Sequence, residues 1–116
     1  MPHNLIKCVW DAWNACRLIQ EFVAGQTFAS YMSDIMRRSA VERQIIILAE
    51  AFNRIDALNP LFRKQFPEVG EFVGTRNRII HVYDNIDDSV VWNAMTEKVP
   101  ELIEKLAEFL KANPVK

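Results

Sequence analysis

The chain has 116 residues, 50% of them hydrophobic and 25% charged, with 14 Lys+Arg against 15 Asp+Glu for a net charge of -1. That length suits one ordinary domain over residues 1–116 and is short for two separate cores, and the apolar share is incompatible with intrinsic disorder. A near-neutral balance argues against a protein coated in positive potential for gripping long nucleic acid. No apolar run approaches the roughly 18 residues of a membrane span, and the N terminus lacks a signal-peptide layout, so a soluble, cytoplasmic protein is expected.

Residues 4–24 carry a helical period. Lys7, Asp11, Asn14, Arg17 and Glu21 form one polar stripe, and the wide apolar remainder includes Leu5, Val9, Trp10, Trp13, Ile19 and Phe22. So broad an apolar arc has more surface than one neighbouring helix covers. Cys8 and Cys16 fall on this helix about 12 Å apart, too far to bridge, and read as small core side chains. No CxxC or His-rich spacing accompanies them, so no metal site is expected. Gly25 suits the helix stop.

Thr27 is a candidate cap for a short helix through Asp34. Ser39-Ala40-Val41-Glu42 has the form of a capping box, so a second long helix is expected to start there. Val41, Ile45, Leu48, Phe52 and Ile55 supply its apolar stripe, and Asn59-Pro60 ends it. A third helix is expected from about Glu68 to His81, with Val69, Phe72, Val73, Ile79 and Ile80 on its apolar face. The polar turn from Tyr83 to Asp88 offers aspartates to cap the next helix. Val91, Met95, Val99, Leu102, Leu106 and Phe109 continue a last helical pattern that is either kinked at Pro100 or restarted with that proline in its first turn. Nothing alternates with period two. The expected fold is all-α, a bundle of four main helices plus a short one.

One stretch stands apart: Arg76-Asn77-Arg78-Ile79-Ile80-His81-Val82-Tyr83. On a wheel at about 100° per residue, Arg76 and Tyr83 fall within the apolar arc and Asn77 and His81 on its flank. An always-charged guanidinium there must be paired, or the face must line a cleft or interface. Arginine can clamp a phosphate and stabilise charge developing on it, and histidine can move a proton near neutral pH. RNA carries its own nucleophile in the 2′-OH, so such a pair needs neither a metal nor a protein nucleophile. One His per chain fills one of the two proton-transfer roles; a two-fold dimer would bring two sets together. The alternative is structural, with His81 placed near a helix C-terminus where a cation is favoured.

The spacing Arg76-Asn77-(x3)-His81-Val82-Tyr83 resembles the R-x4-H-x-Y signature of the HepT-like family of HEPN-domain toxins. The likeness runs from the first long helix to about Leu110. It is strongest between Glu68 and Leu102, where Asn85–Trp92 and Val99-Pro100-Glu101-Leu102 also fit. Val82 departs from the glycine often found between the His and Tyr of the family. The resemblance implies a homodimeric HEPN bundle with the two motifs facing each other across a cleft. It implies a metal-independent endoribonuclease toxin of a type VII-like toxin–antitoxin pair, with no cofactor. The implied partners are RNA and a minimal nucleotidyltransferase antitoxin that inactivates the toxin by moving AMP to its tyrosine, with a higher assembly of toxin and antitoxin open. By position, Arg76 would stabilise the phosphate, His81 carry the proton, Asn77 support them, and Tyr83 accept the AMP. The other reading is a non-catalytic HEPN subunit that binds nucleotide or scaffolds the nucleotidyltransferase.

Charge is also unevenly spread: residues 37–81 hold eight basic against five acidic side chains, and residues 84–116 four against seven. Arg37, Arg38, Arg43, Arg54, Arg63 and Lys64 are either an RNA-approach rim or ordinary solvated helix faces. Trp10, Trp13 and Trp92 read as core or dimer-interface side chains, with base stacking the alternative. His3 is assigned no role.

Overall fold

A computed structural model describes residues 4–67 and 88–114, apart from the side chain of Arg63. Every regular element among them is helical: α1 (Leu5–Val23), α2 (Phe28–Met32), α3 (Ile35–Leu58), a 3-10 turn (Phe62–Gln65), α4 (Asp88–Asn93), a π-helical turn (Ala94–Lys98) and α5 (Val99–Ala112). The expected all-α bundle is therefore observed. The third expected helix, 68–81, lies outside the described residues.

Helix α1 begins where Asn4 accepts the Lys7 N–H at 2.8 Å and ends before Gly25, whose φ of +73° is the left-handed conformation glycine adopts most easily. Its polar stripe is laced by Lys7–Asp11 and Arg17–Glu21 ion pairs. Its other side packs chiefly on α3 and then on α5, burying Cys8, Val9, Ala12, Ala15, Cys16 and Ile19. Both cysteines are thus core side chains, as expected. The surplus apolar surface expected of α1 is largely consumed within the bundle, leaving Trp10 43% exposed. Lys7 covers part of that ring, its Nζ 5.0 Å from the centroid. Trp13 and Trp92 are partly buried against the core.

Thr27 caps α2 as expected, with Thr27 and Ser30 closing a reciprocal capping box. The start of α3 corrects the sequence reading. Asp34, not Ser39, is the cap, its carboxylate accepting the Arg37 N–H at 3.0 Å. No residue between Ile35 and Ala40 breaks a helix, so an aspartate a few residues upstream of the predicted box captures the end first. Ser39 and Glu42 therefore sit inside α3. The heptad-like run Val41, Ile45, Leu48, Phe52 and Ile55 is fully or almost fully buried, and α3 stops at Asn59 as predicted.

Phe62 and Phe66 then fold back on the core. Their rings stack at 4.6 Å, Phe66 lies 6.0 Å from Phe52, and Phe62 meets Phe109 edge-on at 5.1 Å. In the last helical run Pro100 falls in the first turn of α5, the restart alternative. The turn before it is widened, the Val99 N–H donating five residues back to the Ala94 carbonyl. A pyrrolidine ring collides with the carbonyl four residues behind it, and a wider turn moves that carbonyl away. Val91, Met95, Val99, Leu102 and Leu106 are all buried, completing one core with α1 and α3.

Candidate active site

Arg76, Asn77, His81 and Tyr83, the residues the sequence singles out, all lie outside the described residues. The framework that brackets them is described. On the N-terminal side, Phe66 is 2% exposed and seated among Phe62 and Phe52, so the chain enters the motif stretch from a fixed point beside the C-terminal half of α3. On the C-terminal side it returns at Asp88, beside the N-terminal half of the same helix. There the Asp88 carboxylate lies 3.7 Å from the Arg38 guanidinium. From Arg38 to Phe52 along α3 is about 21 Å, at about 1.5 Å per residue.

The return point is a polar cluster. Tyr31 is fully buried, its ring 5.2 Å from that of Trp92, and Phe28 meets the same indole at 6.2 Å. Arg38 and Asp88 side chains are only 26% and 16% exposed, and Glu42 stands one turn beyond Arg38 on α3. Three buried polar atoms there, Tyr31 Oη, Arg38 Nε and Asp88 Oδ1, have no hydrogen-bond partner among the described residues. Burial pushes the Tyr31 phenol well above its ordinary range, and the Glu42 and Asp88 carboxylates push the same way against Arg38. The Glu42 carboxyl is raised too, first by burial, then by Asp88, with Arg38 opposing. Two acidic groups thus lie near one guanidinium in a partly buried spot.

This cluster escaped the sequence reading, which assigned Arg38 to a basic rim, Glu42 to a capping box and Asp88 to a turn. A signal was present: Arg38 precedes Val41 by three residues and Ile45 by seven, placing it on the apolar stripe of α3. Starting that helix at Ser39 hid it. Arg37 is also turned to structural use, its guanidinium bonding the Asp34 carboxylate at 3.2 Å and the Phe22 carbonyl at 2.5 Å. Of the expected rim, Arg43, Arg54 and Lys64 are exposed.

Among the described residues no helix is long and apolar enough to cross a membrane. The bundle is of the helical type expected of HEPN domains. Residues 13–109 match the HepT-like family, described as "Ribonuclease HepT-like", and the chain belongs to that family. A Methanocaldococcus jannaschii protein named "Putative RNase MJ1380" is 33% identical over 96 residues, covering 81% of this chain and 85% of its own length. "Probable ribonuclease HepT" of Thermococcus cleftensis is 31% identical over 103 residues, covering 87% and 91%. "Putative RNase TTE0752" of Caldanaerobacter subterraneus subsp. tengcongensis is 28% identical over 98 residues, covering 83% and 85%. No solved structure matches the chain. Family and relatives together support a ribonuclease function, with RNA as the substrate class.

Proposed function

We propose that the chain, as a single HEPN-type domain over residues 1–116, is the metal-independent endoribonuclease toxin of a cytoplasmic type VII-like toxin–antitoxin pair. The observation that carries this is the match to the HepT-like family over residues 13–109, a span that contains Arg76, Asn77, His81 and Tyr83 at the family spacing. In the proposed reaction the RNA 2′-oxygen attacks the adjacent phosphorus and loses its proton to a base. The bond to the 5′-oxygen breaks, and that oxygen leaves with a proton. The products are a 2′,3′-cyclic phosphate and a 5′-hydroxyl. Arg76 stabilises the charge that builds on the phosphoryl oxygens, His81 carries one of the two protons, and Asn77 supports them. A second copy supplies the other His81, so the active species is a homodimer. Exposed apolar side chains at Phe28, Met32, Ile35 and Met36 are in keeping with a further protein surface packing there.

The antitoxin is a minimal nucleotidyltransferase that transfers AMP to the Tyr83 hydroxyl and releases pyrophosphate from ATP. A bulky anion at that position occupies the cleft and competes with RNA phosphate for Arg76. RNA incubated with the purified chain in EDTA should be cleaved, and Arg76→Ala or His81→Ala should abolish cleavage with helicity and melting unchanged. Equal cleavage by wild type and both variants would contradict the assignment. Intact mass after co-expression with the nucleotidyltransferase should show one added adenylyl group, lost in Tyr83→Phe; an unmodified chain beside a competent partner would refute that regulation.

A further inference from the structure

We propose that Arg38 and Asp88 are positioning residues that fasten the C-terminal end of the motif segment to the bundle; their effect on catalysis rests on the ribonuclease reading, and their effect as an anchor does not. Asp88 is the first residue of α4 and comes after the motif and the short polar stretch 84–87. The ion pairs Lys7–Asp11, Arg17–Glu21 and Asp34–Arg37 each link neighbouring turns of a helix or its cap. Arg38–Asp88 instead joins α3 to the start of α4. The buried Tyr31 ring, 5.2 Å from that of Trp92, lies close enough to both charges for its phenol to respond to them. Glu42, one turn beyond Arg38 on the same helix, adds a second acidic group beside the pair.

The pair suits a positional role better than a stabilising one. Its separation of 3.7 Å is long for an ion pair, and Arg38 Nε and Asp88 Oδ1 have no hydrogen-bond partner among the described residues. Two mostly buried charges in so loose a geometry recover little of their lost hydration. What the contact does specify is where the chain leaving the motif meets α3. A catalytic arginine and histidine need their reacting atoms placed to within about 1 Å, so a misplaced segment lowers turnover by about a hundredfold while substrate contacts elsewhere persist.

The test compares wild type with Asp88→Asn, Asp88→Glu and Arg38→Gln in the full chain. Ile45→Val, a change in the fully buried core, serves as a control for mild destabilisation. Hydrogen–deuterium exchange should quicken about tenfold in peptides covering 76–87 for Asp88→Asn and Arg38→Gln. Peptides from α1 should exchange as in wild type, and Asp88→Glu should bring 76–87 back to the wild-type rate. Wild-type exchange over 76–87 in Asp88→Asn would overturn the anchor, whether or not the protein cleaves RNA. In the RNA assay, Asp88→Asn should lose at least about tenfold in kcat with KM within about twofold, Asp88→Glu should recover most of it, and Ile45→Val should keep wild-type kcat. Faster exchange with unchanged kcat in an active enzyme would overturn the catalytic half. Faster exchange in a chain whose wild type cleaves no RNA would uphold the anchor and contradict the ribonuclease reading.

Discussion

The effect of removing the Tyr31 hydroxyl shows whether it is bonded. Its ring is fully buried against Trp92, while its hydroxyl has no partner among the described residues. Tyr31→Phe keeps the ring and removes only the hydroxyl. An unpaired buried hydroxyl costs about 1–3 kcal/mol in lost hydration, so the variant should be at least as stable as wild type and up to about 2 kcal/mol more stable. Tyr31→Ala removes the ring as well and should lose about 3–5 kcal/mol, the usual range for emptying an aromatic site. Urea denaturation at neutral pH, with equal slopes for all three proteins, measures both changes. The alkaline limb adds an independent check. The folded phenol is raised above its unfolded value of about 10. The stability this contributes is complete below that value and lost as pH climbs through the folded one. Wild type should therefore weaken more steeply than Tyr31→Phe above about pH 10. A Tyr31→Phe protein less stable than wild type by more than about 1 kcal/mol would refute the reasoning and show that the hydroxyl is bonded.

Glu42 titrates above its ordinary range because burial and Asp88 outweigh Arg38. The stability linked to its proton is present below about pH 4 and lost as pH rises, so Glu42→Gln should stabilise at neutral pH and lose that advantage in acid. Urea midpoints at the two pH values decide it. Cys16 is fully buried and burial holds its thiol far up, so a thiol reagent should leave it unmodified in the folded protein and label it at the rate of global unfolding. Ile35 is 68% and Met36 83% exposed. Changing both to Glu should alter monomer stability by less than about 0.5 kcal/mol each and dissociate the proposed homodimer in sedimentation. A dimer that persists would place the interface elsewhere.

Helix identity was legible because α1, α3 and α5 each repeat their apolar residues at steps of three and four, and the bundle buries those repeats. The stops at Gly25, Asn59 and Asn113 were legible from backbone chemistry alone. The start of α3 was not, because Asp34 and Ser39 are both competent caps, and only the helical stretch between them decides which prevails. That one misplacement turned Arg38 from a core-facing charge into a surface one and concealed its partner Asp88, fifty residues further along the chain. Pairs so distant leave no periodic trace. The π-helical turn was half legible: Pro100 announced a disturbance, and the continuity of Val91, Met95 and Val99 announced that the helix would survive it. Of the candidate site, the motif and its spacing came from the sequence, and the described framework adds the two points between which that motif is strung.

The most direct test of metal-independent RNA cleavage through the 2′-OH compares an RNA oligonucleotide with its fully 2′-deoxy counterpart, each incubated in EDTA with wild type and with His81→Ala. Wild type alone should cleave, and only the RNA, leaving 2′,3′-cyclic phosphate and 5′-hydroxyl ends. Cleavage of the deoxy strand, or undiminished cleavage by His81→Ala, would contradict it.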